Sequence, residues 1–178
     1  DKRPVRRAAW IQCVGSRDLQ SGADFCSTIC CMFALKEAAV ARQRIGSDFS
    51  ATIIYMDMRT YGKDFEKYYD RARDEHGVRF VRSRIHTIDP CEEGRLRLNY
   101  ATDSGEAMSE EFDMVVLSVG LQTGKDAVEL AGRLGIELTG YNFSETSSFL
   151  PVGTTKPGVF ACGCFAGPKD IPQAVMEA

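Results

Sequence analysis

Residues Ala8–Ala38 read AAWIQCVGSRDLQSGADFCSTICCMFALKEA. The apolar run Ala8–Val14 breaks at Gly15 and Ser16 and reads as a buried strand. Ser16 to Phe25 is polar and contains Gly22, so it reads as a loop. From Ser27 onward Ile29, Met32, Phe33, Leu35, Ala38 and Ala39 recur at helical spacing. Ser27 is the expected N-cap and Gly46 the expected stop. Strand, loop and helix in that order open a βαβ unit.

The pattern continues downstream. Ala51–Met58 (ATIIYMDM) reads as a second strand, Lys63–Glu75 as a helix closed by Gly77, and Val78–Ile88 as a third strand. Arg95–Tyr100 is expected to pair with it through a turn at Glu92–Gly94, with Ala101–Glu110 as a polar connection. Met114–Val119 is a further apolar run ended by Gly120. The order predicts an α/β fold: a doubly wound, Rossmann-like parallel sheet with right-handed crossovers and an antiparallel meander. A boundary is expected near residue 121. Beyond it come a short amphipathic helix (AVELAGRLG), a Ser/Thr-rich irregular stretch, a short strand over Gly158–Gly163, and a last helix with Asp170 as N-cap and Pro172 in its first turn. The expected domains are therefore 1–121 and 122–178.

The chain has 178 residues, a net charge of −3 and a pI near 5.5, which gives no general case for nucleic-acid binding. Lys2, Arg3, Arg6 and Arg7 open the chain without a following apolar h-region, and no run is long enough to span a bilayer. The start at Asp1 and the end at AVMEA, mid-helix by pattern, lead to the expectation of a piece of a longer polypeptide.

Seven cysteines is an odd number and makes a disulfide framework unexpected. Cys91 and Cys162 read equally well as packing thiols. Cys13, Cys26, Cys30 and Cys31 are different: they form C-x12-C-x3-C-C where a dinucleotide-binding domain would place its glycine turn. Four thiolates are what a [4Fe–4S] cluster needs. Zinc is the competing metal, although its sites usually use separated C-x2-4-C pairs rather than adjacent cysteines. Arg17 and Lys36 would add positive charge nearby. Gly15 and Gly22 do not make a G-x-G-x-x-G, so tight NAD(P)H binding is not expected, even with Asp57 near the end of the second strand. His76 and His86 are the two histidines, both in charged settings, and neither a P-loop nor G-x-S-x-G occurs. There is also no C-x2-C-x2-C-x3-C run and no C-x-x-C redox pair.

CVGSRD, FCSTICCMFALKEA, GKDFEKYYDRA and GVFACGCFAGPKDIPQAVMEA together resemble the A subunit of heterodisulfide reductase, and its relative, the flavoprotein A subunit of the quinone-interacting membrane-bound oxidoreductase complex. The resemblance runs nearly the whole chain. It implies a thioredoxin-reductase-like flavoprotein core with FAD and iron–sulfur clusters, passing electrons between a soluble donor, the flavin and partner subunits in the cytoplasm. It implies an NAD(P)-binding-type first domain and the C-terminal part of an FAD-binding domain. It maps an extra cluster onto Cys13, Cys26, Cys30 and Cys31. It maps the flavin contact onto Gly163, Cys164, Gly167, Pro168, Lys169, Asp170 and Ile171, with Lys36 as a further candidate. Related disulfide reductases carry a Gly-Asp pair where this chain has Gly163–Cys164, so a ribityl hydrogen bond must come from elsewhere. The helix start after GPKDIP, with Lys169, would stabilise an anionic reduced flavin.

The resulting expectation is an electron-transfer module of a larger oxidoreductase, inactive as an isolated piece. Its partners would be other subunits or a second copy through an uncovered flavin-side face. An NAD(P)H-binding reductase domain and a non-catalytic, metal-stabilised interaction domain are the alternatives.

Overall fold

The structure, a computed structural model, describes residues 4–178; Lys2 and Arg3 of the basic opening lie outside the described residues. The chain divides into two compact units. Among the described residues the first comprises 4–14 and 30–119, the second 15–29 and 120–178.

The first unit is built on a parallel sheet in the order β3-β2-β1-β7, from Arg7–Ile11 (β1), Ser50–Tyr55 (β2), Arg79–Arg82 (β3) and Met114–Leu117 (β7). Trp10 stands opposite Ile53 on one side and Val116 on the other. Strands buried on both faces carry near-continuous apolar runs, which is why AAWI and ATII lack alternation. On one face Ala8, Trp10, Ala51 and Ile53 pack against Ala34, Leu35 and Ala38 of α1 (Cys30–Ile45) and Ala72 of α2 (Phe65–Asp74). On the other, Ala9, Ile11 and Ile54 pack against Leu98 and Phe112. Those two belong to an antiparallel meander of β4 (Ile85–Pro90), β5 (Leu96–Ala101) and β6 (Ala107–Phe112). Gly46, at φ 95°, ends α1 as expected, its N–H donating to the Arg42 carbonyl at 3.0 Å.

Three expectations are corrected. Val78–Ile88 is not one strand. Ser83 N–H still donates to Tyr55 O of the parallel ladder at 2.9 Å, while its hydroxyl donates to Ala101 O of the meander at 2.7 Å, so the chain changes sheets there. The expected polar connection ends as strand β6. Its outward residues pair with those of β5, as in Arg97 opposite Glu111 with N···O 2.8 Å, and this charge ladder masks the strand pattern. Gly158–Gly163 is not a strand either. Val159 N–H turns back to Lys156 O, and ladder pairing is limited to a bridge between Gly153 and Phe160.

A polar cluster ties the layers of the first unit. Arg79 of β3 grips Glu110 of β6 with N···O distances of 2.8 and 2.5 Å. Arg7 of β1 reaches the same carboxylate at 3.1 Å, and the Tyr100 hydroxyl donates to it. These partners, the Arg79 guanidinium first, hold the Glu110 carboxyl down to about 2.

The second unit has little regular structure. Its α-helices are α3 (Lys125–Leu134), closed by Gly135 at φ 71°, and α4 (Ile171–Glu177). Asp170 caps α4 as expected, in a capping box: its carboxylate accepts Gln173 N–H at 2.8 Å and Gln173 Oε1 accepts Asp170 N–H at 3.1 Å.

Candidate functional site

In the first unit, the carboxyl edge of the parallel sheet carries Gln12 and Cys13 after β1, Asp57 beyond β2 and Ser118 after β7. Ser118 N–H donates to Ile11 O at 2.9 Å and Val14 N–H to Ser118 O at 3.1 Å, so the ladder between β1 and β7 runs on past the strands' ends. This is where the strand order reverses, the place where open α/β sheets bind ligands. Cys13 has φ 60°, a left-handed conformation that lets the chain leave the sheet. α1 begins with Cys30 and Cys31. Cys31 is buried, with its sulfur 3.9 Å from the carbonyl of Asp57. The Asp57 carboxylate lies 3.7 Å from Arg82. Lys36 is exposed on α1.

In the second unit, loop Gly15–Ile29 packs on the later part of the chain. Phe25 packs against Tyr141 with rings tilted and centroids 4.7 Å apart and edge-on to Phe143 at 5.5 Å, and the Tyr141 hydroxyl donates to Asp24. Ser27 is not the cap of α1. Its hydroxyl is buried, accepts Leu121 N–H at 2.9 Å and lies 3.4 Å from Ser16 Oγ. Gly120, at φ 83°, is what admits these hydroxyls: a Cβ there would stand 2.2 Å from Ser16 Oγ and 2.6 Å from Ser27 Oγ. The Cys26 sulfur accepts Thr28 N–H at 3.3 Å.

The C-terminal segment also lies in the second unit. Cys162 and Cys164 are exposed and flank Gly163, which opens the 3-10 turn Gly163–Phe165 at φ 65°. Cys164 Sγ lies 3.8 Å from Lys169 O. A Cβ on Gly167 would meet nothing within 4 Å, so backbone here is open to close approach by a flat ligand. Lys169 is not a solvated loop lysine. Its side chain is 12% exposed, and its ammonium holds both Glu177 oxygens at 2.6 Å. Gly163 N–H donates to the same carboxylate at 3.3 Å. The positive charge is thus matched within the segment, and Asp170 adds a negative one at the start of α4. Gly163–Ile171 is a shaped backbone edge, held by the Lys169–Glu177 pair and the Asp170 cap.

Among the described residues no three Cys, His, Asp or Glu side chains are gathered as a metal-holding group. The four cysteines are divided between the units, Cys13, Cys30 and Cys31 in the first and Cys26 in the second. The thiols of Cys13, Cys30 and Cys31 stand at a sheet edge and a helix start, and Cys26 accepts a backbone N–H. Sequence reasoning missed Gln12, Ser118 and Gly120. An amide directly before Cys13 in an apolar strand was the available signal for the first.

The family described as pyridine nucleotide-disulphide oxidoreductase matches residues 31–178. Among curated proteins, the chain is 41% identical to the A subunit of the H(2)/formate:CoB-CoM heterodisulfide,ferredoxin reductase of Methanococcus maripaludis, over all of this chain and 28% of that protein. It is 42% identical to the iron-sulfur A subunit of the CoB–CoM heterodisulfide reductase of Methanocaldococcus jannaschii, with the same coverage. It is 36% identical to the A subunit of the ferredoxin/F(420)H(2)-dependent CoB-CoM heterodisulfide reductase of Methanosarcina acetivorans, over 98% of this chain and 22% of that protein. The chain thus spans about a quarter of the length of the curated relatives it matches. No helix among the described residues is long and apolar enough to cross a membrane.

Proposed function

Because the chain belongs to the pyridine nucleotide-disulphide oxidoreductase family, whose model covers residues 31–178, we propose that it is an electron-transfer module of a flavin- and iron–sulfur-containing oxidoreductase of the heterodisulfide reductase A type. One observation carries the reading: Cys13 and the Cys30–Cys31 pair stand at the carboxyl edge of a parallel sheet, where a phosphate-binding turn would otherwise lie. With Cys26 they are the proposed ligands of a [4Fe–4S] cluster. Gly163–Ile171 is the proposed contact for FAD, in residues 122–178 taken as the C-terminal part of an FAD-binding domain; residues 1–121 are taken as the NAD(P)-binding-type domain.

A bound cluster supplies a one-electron site and a bound flavin a two-electron site. The chain's own residues do the positioning. Apolar layers of the first unit exclude water from below the sheet edge, the start of α1 offers unpaired N–H groups to an anionic group, and Lys169 and Asp170 fix the Gly163–Gly167 backbone. Partners are other subunits of such a complex or a second copy of this chain, and the compartment is the cytoplasm.

The test is iron and acid-labile sulfide per chain after anaerobic purification or reconstitution, with a Cys30→Ser/Cys31→Ser control. Close to four of each, lost in the control, is the expected result. Zinc in place of iron, or neither metal, overturns the cluster assignment.

A further inference from the structure

Cys162 and Cys164 are a pair that the reading above leaves without a chemical task. Both are exposed, so neither serves as a packing thiol. One residue separates them, Gly163, at φ 65°. Glycine takes that conformation without strain, and it bends the chain between the two cysteines. Two Cα–Cα steps of about 3.8 Å, bent at the middle residue, bring the outer Cα atoms within the roughly 4.4–6.8 Å that a disulfide spans.

The turn is held by bonds that use neither thiol. Gly163 N–H donates to the Glu177 carboxylate at 3.3 Å, and the Lys169 ammonium grips that carboxylate at 2.6 Å. Ala166 N–H donates to Gly163 O at 3.0 Å, and Ser144 N–H donates to Phe165 O at 2.8 Å. Cys164 Sγ lies 3.8 Å from Lys169 O, a contact that a sulfhydryl makes only weakly. The backbone is therefore pinned while both sulfurs stay at the surface. Solvent-accessible thiols in a fixed turn are placed for chemistry with a partner from solution.

We propose that Cys162–Gly163–Cys164 is an exchange-active dithiol, a two-electron site that reduces accessible disulfides. One cysteine, as thiolate, attacks a sulfur of the partner disulfide. A mixed disulfide forms, the partner's S–S bond breaks, and the leaving sulfur takes up a proton. The second cysteine gives up its proton and displaces the remaining partner sulfur, which leaves as a second thiol. The product is a Cys162–Cys164 disulfide. Two electrons and two protons pass from the dithiol to the partner, and an external dithiol reverses the reaction. An exposed disulfide closed across one residue is of the labile, exchanging kind rather than the structural kind. The proposal does not rest on the iron–sulfur reading and uses none of Cys13, Cys26, Cys30 and Cys31.

The experiment treats the anaerobically prepared chain with oxidised glutathione, quenches with acid, alkylates the remaining thiols and digests with trypsin for mass spectrometry. The tryptic peptide ending at Lys169 holds Cys162 and Cys164 and no other cysteine. In the wild type this peptide is expected to lose two hydrogens, to escape alkylation and to regain both thiols with dithiothreitol. Cys162→Ser and Cys164→Ser are expected to stop at the mixed disulfide, populated about tenfold or more above the wild-type level, because intramolecular displacement outruns a second encounter. Both thiols alkylated, a glutathione on each, or pairing of either with another cysteine in the wild type overturns the proposal. The wild-type peptide decides the matter by itself if a variant does not fold.

Discussion

In the first unit, Ile53 and Ile54 lie on opposite faces of β2, one sealed by α1 and α2, the other by the meander. In the second unit, Phe143 is buried beneath Phe25, while the chain around it is held by turns, isolated bridges and hydroxyl tethers such as Ser27 to Leu121. Burial of apolar surface is non-directional and tolerates drift in any one contact. Tethers are directional, and each depends on one or two atoms. The difference separates a platform of packed apolar layers, which carries Cys13, Cys30 and Cys31, from a unit held by directional tethers, which carries Cys26 and Gly163–Ile171.

The largest effect is expected where the platform is cut. Ile53→Ala removes a fully buried side chain between layers and is expected to cost about 2–5 kcal/mol in urea denaturation. A loss below about 1 kcal/mol would mean that the layers do not carry the unit. Gly120→Ala comes next and targets the tethered second unit. Its Cβ collides with Ser16 and Ser27, and its φ of 83° strains any L side chain by about 1–2 kcal/mol. Hydrogen exchange should quicken at Leu121 and through Gly15–Ile29 while β1 and β2 keep their protection. Equal loosening of both units would erase the distinction.

Glu110→Gln should destabilise the first unit by about 1–3 kcal/mol at neutral pH, since two arginines and Tyr100 lose their anionic partner. The sign of the pH effect follows from the lowered folded-state value. Stability from this group is complete above its ordinary 4.5 and is lost as the pH falls toward about 2. The wild type should therefore lose stability through that window more steeply than the glutamine variant, as read by denaturant midpoints at several pH values. The smallest effect is expected for Asp170→Ala. Loss of the capping box costs about 1 kcal/mol and should fray α4 alone, as seen in the exchange of Gln173 N–H.

The same contrast explains what could be read from the chain. Runs such as AAWI and ATII declare a parallel sheet because burial on both faces leaves a one-dimensional record. The start of the last helix was legible in Asp170 and Pro172, since the cap is local; the Gln173 half of the capping box came only with the structure. β6 was hidden because Ser109 and Glu111 alternate with Met108 and Phe112 in a way that a polar connection also shows. Ser27 looked like a cap because its partner, Leu121 N–H, is 94 residues away. Lys169 was read only for its charge because Glu177, eight residues on, becomes its partner only once α4 folds back. At the candidate site, the cysteines and GPKDIP were visible as types and spacing. The half-bound amide of Gln12, its Nε2 on Ser118 Oγ and its Oε1 buried without a hydrogen-bond partner among the described residues, was not, because an unsatisfied atom exists only in three dimensions.

The most direct test of the account is iron stoichiometry across single Cys→Ser variants prepared anaerobically. Replacing Cys13, Cys26, Cys30 or Cys31 should lower iron and sulfide well below about four per chain, while replacing Cys91, Cys162 or Cys164 should leave both near the wild-type value. Iron that survives loss of Cys13 and Cys26 but falls with Cys162 or Cys164 would contradict the assignment and move the metal to the C-terminal segment.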